Sequence, residues 1–469
     1  MPIQSTVKST LVAVAATILV FNLSLTEAKA VGPMAVEGRY LTSGGQPFMW
    51  QGDTTWDLGR LTPTEASEYF SKRASQGFTI VQGVVFNGPG NRDNVVENNA
   101  GQAPFAVIDG QYDFDNPNDA YFDNFKEIVE IADSHGLYVA VLPVWGGFKT
   151  GIYGGRSIAH MTDAQAESYG RYIGTQLADH NNVIWIIGGD TPPGDSENFF
   201  NRMARAIDSE SSGIMTYHNS REENTGRGSW QYSGIARESW YDFHGYHTTV
   251  KKNRRTYALT TEGYQQDRIK PVVSLEEDYF GYNNAKENVF QHYFAGGAGM
   301  THGWRYVWNL EEGTWRSTLD DENVTMIANH HTVLRKINWV SIQPDQSIID
   351  SGEGTLDSDG QKIAAMTHNG QSLVVYFPEG NSPASIRLSK LNSRRADLIW
   401  HNLDSATTQS GGTVAAAPSV SLSLPSDWSH GVLEARAVAD RPWWLIITAP
   451  VTLVLIVILP AIIKGPAQK

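Results

Sequence analysis

From residue 47 to residue 308 the chain repeats one pattern: a short, nearly unbroken apolar run, then a polar stretch with helical spacing. "VIWIIGGD" (183–190) is the plainest of these runs. Apolar side chains without alternation need cover on both faces of a strand, which is the situation of a parallel sheet lined by helices. Further strand candidates are "PFMWQGDTTW" (47–56), "FTIVQGVVF", "LYVAVLPVWG", "IMTYHNS", "YDFHGYH", "KPVVSLEEDY" and "MTHGWRYVW", eight in all. Helices are predicted over 62–76, 121–136, 162–180, 196–211 and 283–295. The first begins with Thr62 and Pro63, sets Ala66, Tyr69, Phe70 and Ala74 on one face, and stops at Gly77. Eight such strands in about 270 residues suit a closed (β/α)8 barrel over residues 31–338. An open doubly wound sheet is the alternative, but "QGDTTW" after the first strand is not a glycine-rich phosphate loop.

The texture changes near residue 339. "KIAAMTH", "SLVVYFP", "ASIRLSK", "ADLIWHN", "SVSLSLP" and "GVLEARA" are short strands separated by Gly, Asn, Asp and Ser, which predicts a small all-β sandwich over 339–437. Both ends look like targeting signals. Residues 1–30 carry a basic start, an apolar stretch from Leu11 to Leu23 and a small-residue site "AKA", the pattern of a secretory signal peptide; a short membrane anchor is the rival. Residues 443–463 lack charge and, as a helix, would reach roughly one hydrocarbon thickness, with 464–469 as a short tail. The stretch is predicted to anchor the protein to a membrane through its C-terminus, with a removable glycolipid signal or burial in the soluble body as rivals. The expected location is secreted or cell-surface.

Composition excludes several function classes. Fifty acidic against 36 basic residues give a formal charge of -14, which disfavours nucleic acid as a partner. The absence of cysteine rules out thiolate nucleophiles, disulfides and zinc–cysteine sites. No G-x-S-x-G elbow and no HExxH helix occur. "HGYH" (244–247) sets two histidines three apart, which on a strand points them to opposite faces, so no metal and no cofactor are expected. "NVT" (323–325) offers Asn323 for glycosylation.

In a barrel of this type the chemistry sits at the C-terminal ends of the strands. Those ends carry Asp53, Trp56 and Asp57, then Trp145, Asp190, His218 and Asn219, then His244, Tyr246 and His247, then Glu276 and Glu277, and last His302, Trp304 and Tyr306. Carboxylates with histidines bind hydroxyls, and aromatic faces stack on sugar rings. Two carboxylates across one barrel mouth suit glycosidic hydrolysis, and Asp190 with one of Glu276 and Glu277 fits that need. Period-two alternation lets only one of the adjacent pair face the centre. A loop carboxylate or helix cap is the plain alternative for Asp190.

These residues carry a resemblance. "PFMWQGDTTWDLGRLTPTEASEYFSKRASQGFTIVQGVVF", "WIIGGD" and "GAGMTHGWRYVW" are similar to segments of the apiosidase-like glycoside hydrolases. "GQKIAAMTHNGQSLVVYFPEG" through "ADLIWHNLDSATTQ" resembles the β domain that often follows them, which carries a collagen-binding label. The resemblance implies a retaining glycosidase acting on a poly- or oligosaccharide, with apiose-containing pectic side chains as the family's best-known substrate. By position it makes Asp190 the acid/base and Glu276 the nucleophile. Asp53, Trp56, Trp145, His218, His247, Glu277 and Trp304 are expected to line the sugar site. Where the family often reads "GEP" this chain has "LEE", which leaves Glu277 as a rival nucleophile. A non-catalytic carbohydrate-binding or adhesion protein on the same scaffold is the alternative function, and a structural display platform a third.

Overall fold

The computed structural model describes residues 31–90, 93–153, 157–220, 228–248, 256–277, 279–280, 288–355, 361–367, 369–379 and 383–439. The signal-like segment 1–30, the apolar stretch 443–463 and the tail 464–469 lie outside the described residues. Among the described residues no helix is long and apolar enough to cross a membrane.

A small antiparallel meander (Met34–Glu37, Tyr40–Ser43, Gln46–Phe48) precedes the barrel. The barrel strands are β1 (Trp50–Thr54), β2 (Ile80–Val84), β3 (Tyr138–Leu142), β4 (Val183–Asp190), β5 (Met215–Ser220), β6 (His244–His247), β7 (Val272–Glu276) and β8 (Gly299–Trp304). All are parallel, in the order β5-β4-β3-β2-β1-β8-β7-β6. Among the described residues no strand ladder closes the remaining seam, between β5 and β6. It is drawn together instead by Asp242 N donating to Met215 O at 2.8 Å and by Thr216 Oγ1 donating to Phe243 O at 2.5 Å. The result is a near-closed eight-stranded barrel.

The covering helices follow the predicted chemistry. In α1 (Pro63–Ser75) the Thr62 hydroxyl accepts from Glu65 N while the Glu65 carboxylate accepts from Thr62 N, which satisfies two orphan amides at the helix start. α2 (Asp119–Ser134) and α3 (Asp163–Gln176) follow, and Thr162 with Gln165 repeats the reciprocal cap on α3. α4 (Glu197–Asp208) packs against α3 closely enough that a Cβ on Gly170 would lie 2.5 Å from Met203 O. α5 (Thr256–Tyr264), between β6 and β7, was not legible in the sequence: it buries Thr256, Leu259, Thr260 and Gly263, which form no apolar stripe. α6 (Asn288–Phe294) falls inside the segment predicted as helix 283–295, and α7 (Glu322–Lys336) closes the barrel. The connection after β2 contains a hairpin of Phe105–Ile108 with Gln111–Pro117.

The C-terminal region is all β. One antiparallel sheet runs Ile342–Pro344, Ile363–Thr367, Ser372–Phe377, Gly431–Ala437, Arg395–Asn402 and Thr408–Ala415. A three-stranded sheet, Ile349–Ser351, Ala384–Ile386 and Val420–Leu422, covers part of it. In the strand Ser372–Phe377, Leu373, Val375 and Phe377 belong to the core between the two sheets, whereas Val374 and Tyr376 belong to the core shared with the barrel. That division explains why "SLVVYF" does not alternate: both of its faces are buried. Tyr376 stacks on Phe290 of α6 with ring centroids 5.1 Å apart, so the sandwich is seated on the barrel wall.

Candidate active site

The end of β4 turns sharply. Gly188, Gly189 and Asp190 have φ of +94°, +121° and +49°, three successive residues in a region that L side chains avoid. Glycine is required at the first two positions for space as well. A Cβ on Gly188 would lie 2.7 Å from His218 O, and one on Gly189 would lie 2.9 Å from the Trp145 ring. Asp190 has no such freedom, so its strained backbone is held by the surrounding packing, a situation that recurs where a side chain must be aimed.

Asp190 is aimed at the barrel centre. Its Oδ2 accepts from the Tyr153 hydroxyl at 2.5 Å, and its Oδ1 lies 3.0 Å from His247 Nδ1. Glu276, the last residue of β7, meets the same histidine: Oε2 is 3.3 Å from His247 Nδ1 and 3.2 Å from His218 Nε2. Oε1 accepts from the Tyr279 hydroxyl, which in turn accepts from Trp56 Nε1 at 2.8 Å. Each carboxylate therefore has one oxygen satisfied by a tyrosine. The inner oxygens, Asp190 Oδ1 and Glu276 Oε2, face the two imidazoles. An oxygen of Asp190 and one of Glu276 lie within 4.8 Å of each other and of a ring nitrogen on both histidines.

The electrostatics follow from burial and these neighbours. Burial raises the Asp190 carboxyl, but the positive charges of His247 and His218 and the hydrogen bond from Tyr153 outweigh it and hold it down to about 2. Glu276 is likewise raised by burial and by the nearby Asp190 charge, yet lowered on balance by the two histidines. The resting site thus holds two carboxylates facing two imidazoles.

The floor beneath the pair is aromatic. Trp56 meets Trp145 with ring centroids 4.9 Å apart and His218 at 5.5 Å. Of the predicted site residues, Asp190, Glu276, Trp56, Trp145, His218 and His247 are brought together here, from the ends of β1, β3, β4, β5, β6 and β7. His244, three residues before His247, faces the other way onto the Tyr241 hydroxyl, as the strand period predicts.

Three expectations are corrected. Asp53 does not face the site: it is wholly buried on the helix side of β1, ion-paired to Arg73 and accepting from the Tyr69 hydroxyl at 2.5 Å. Trp304 also points to that layer, stacked on Phe280 at 5.3 Å with the Arg73 guanidinium 4.7 Å over its ring. Both sit on the outward parity of their strands, where the side chain meets helices rather than the barrel centre. Glu277 turns away from Glu276 and accepts from Ser274 Oγ at 2.7 Å, Thr248 Oγ1 at 2.9 Å and Asn288 Nδ2 at 2.9 Å. Burial raises its pKa against those three hydrogen bonds. Between the two glutamates, Glu276 is the one in the site.

Sequence reasoning missed Tyr153 and Tyr279. Tyr279 follows Glu276 by three residues, and that nearness was the available signal. Tyr153 lies in the loop after β3, where strand-end logic gives no register.

Comparison with known proteins places this geometry. No curated protein matches the chain. Among solved structures, a glycoside hydrolase family 5 protein from Bacteroides vulgatus superposes with a TM-score of 0.73 at 21% identity, covering 87% of this chain and 94% of that one. A second, described as a glycoside hydrolase, gives 0.73 at 20% identity, covering 87% and 98%. These likenesses establish the fold. Residues 343–432 match the family described as "Putative collagen-binding domain of a collagenase". Residues 35–341 match the family "Apiosidase-like, catalytic domain", which together with the barrel fold makes the protein a glycosidase. With most of its length inside that match, the chain belongs to the apiosidase-like family of glycoside hydrolases.

Proposed function

We propose that this glycosidase works with retention, Asp190 serving as acid/base and Glu276 as nucleophile. The observation that carries the reading is the separation of the pair. Retaining enzymes hold their carboxyl groups about 5 to 5.5 Å apart, whereas inverting enzymes need about 6.5 to 9.5 Å to fit a water. Oxygens within 4.8 Å of each other support the first arrangement.

Glu276 Oε2 attacks the anomeric carbon as Asp190 protonates the departing oxygen, and water then releases the sugar with Asp190 taking its proton. Tyr279 and Tyr153 hold the outer oxygens and leave the inner ones for chemistry. Asp190 is ionised in the resting site, so its proton has to arrive from a neighbour. His247 Nδ1, 3.0 Å from Oδ1, is the group placed to supply it. Once the imidazole has given up its proton, burial of the carboxyl favours the protonated acid.

The substrate is a poly- or oligosaccharide, and the family resemblance favours pectic side chains bearing apiose. Secretion and a membrane anchor at 443–463 are read from the sequence alone. The test is sugar release by the full chain from a panel of cell-wall polysaccharides, with the product anomer read by NMR. Release that Asp190→Asn and Glu276→Gln abolish, with the retained anomer formed first, supports the reading. The inverted anomer as first product refutes retention, and binding without release by wild type favours a non-catalytic carbohydrate-binding protein.

A further inference from the structure

We infer that the four groups converging at the barrel centre form a site for one divalent transition-metal ion, and that its occupancy blocks the glycosidase. Asp190, His218, His247 and Glu276 each offer one ligand atom, all within 4.8 Å of one another and all buried. Zinc held by imidazole nitrogen and carboxylate oxygen at about 2.0 to 2.2 Å has tetrahedral edges of about 3.3 to 3.6 Å. Three of the edges are already near that length: 3.0 Å from His247 Nδ1 to Asp190 Oδ1, 3.3 Å from it to Glu276 Oε2, and 3.2 Å from His218 Nε2 to Glu276 Oε2. Small movements of side chains would therefore complete the shell.

A second observation points the same way. Asp190 Oδ1, Glu276 Oε2 and His218 Nε2 are buried and converge on one point, where with His247 Nδ1 they contact one another at 3.0 to 3.3 Å. Their surroundings match what a metal ligand needs outside the shell. The tyrosine hydroxyls of Tyr153 and Tyr279 bond the outer carboxylate oxygens. His218 has two tautomers available: its Nδ1 accepts from Asp190 N at 3.2 Å in one, and donates to Asn219 O at 3.3 Å in the other. The second tautomer frees the Nε2 lone pair for an ion, with the other ring nitrogen held by a backbone carbonyl. Two nitrogens and two carboxylates select zinc, copper or nickel over magnesium and calcium, which prefer all-oxygen shells.

Binding of the ion stands on geometry alone, while its blocking effect rests on the glycosidase reading, since ligand bonds would occupy the oxygens that attack the sugar and deliver the proton. The experiment has two independent readouts. Chelator-stripped full chain is equilibrated with Zn2+ and its bound metal counted, and Co2+ is added to a second sample to record its visible ligand-field bands. The expected result is one ion per chain, the intense bands of four-coordinate cobalt, and at least about tenfold weaker zinc binding in His247→Gln and His218→Gln, since loss of even an outer-shell partner costs about 10- to 100-fold. Absence of bound zinc, weak octahedral cobalt bands in the unmutated chain, or binding that both variants retain would overturn the site. Sugar release is then measured with zinc, with chelator and with excess Mg2+. Loss with zinc, recovery with chelator and indifference to Mg2+ support the block. Zinc bound at the site with release unchanged overturns the block and the roles given to Asp190 and Glu276, whereas no zinc bound, with release still abolished by Asp190→Asn, overturns the site and leaves the glycosidase reading standing.

Discussion

Lowering the pH from about 8 to about 5 should weaken the fold through histidines that the catalytic site does not use. His292 of α6 and His302 of β8 are fully buried, and burial lowers both from the ordinary histidine value of 6.5 to about 3. His331 of α7, facing His302, is lowered too, by burial first and then by neighbouring charge. His302 has neither ring nitrogen hydrogen-bonded among the described residues, and its neighbours are Phe280, Trp304 and His331. A folded pKa below the unfolded one means that the unfolded chain binds the extra proton. Stability from His292 and His302 is therefore complete above about pH 6.5 and falls as pH drops from there towards about 3. At about pH 5 each group titrates over roughly 1.5 units, which at 1.36 kcal/mol per unit is about 2 kcal/mol. Asp57, raised by burial to about 6, opposes this by about 1.4 kcal/mol, so the total slope of the wild type is not diagnostic. The variant His302→Leu isolates one histidine. With an unfolding entropy of about 2.1 cal/mol/K per residue and on the order of 400 folded residues, about 2 kcal/mol corresponds to a thermal midpoint shift of about 2 to 3 °C. Calorimetry at both pH values should show His302→Leu losing about that much less than wild type on acidification. Equal losses in the two proteins would refute the claim that His302 is buried neutral.

Four further outcomes follow from particular contacts. Asp190→Asn and Glu276→Gln should each cut sugar release by about 10^2 to 10^4-fold, measured as kcat/KM with the thermal midpoint as a folding control. Arg73→Met strands the buried Asp53 carboxylate and should cost about 3 to 5 kcal/mol in denaturant unfolding, while adding Asp53→Asn should recover much of it. Gly189→Ala puts a Cβ against the Trp145 ring at a φ of +121°, which should cost about 1 to 3 kcal/mol and lower kcat by shifting Asp190; unchanged kcat would show that this turn does not aim the acid. Tyr279→Phe removes the donor to Glu276 and the acceptor for Trp56, and at about 1 to 2 kcal/mol should lower kcat/KM roughly tenfold with the fold intact.

Apolar runs such as "VIWII" and "LYVAVL", separated by amphipathic helices, were enough by themselves to specify a parallel sheet covered by helices, because strands buried on both faces have few other ways to be covered, and the missing phosphate loop turned that reading from a doubly wound sheet to a barrel. The same pattern placed Asp190, Glu276, Trp56, Trp145, His218 and His247 at the working end, since in this architecture a strand's C-terminus is a location in space as well as in sequence. The capping chemistry of Thr62 and Thr162 was equally local and equally readable. Alternation along a strand says that neighbours oppose one another, but it does not say which parity looks inward. Only the closed barrel decided that Glu276 and not Glu277 enters the centre, and that Asp53 and Trp304 face the helix layer, where Arg73 waits for both. Tyr153 and Tyr279 reach the carboxylates by the paths of their loops, which no periodicity encodes. The short distances among two imidazoles and two carboxylates arise from four different strands meeting at one point.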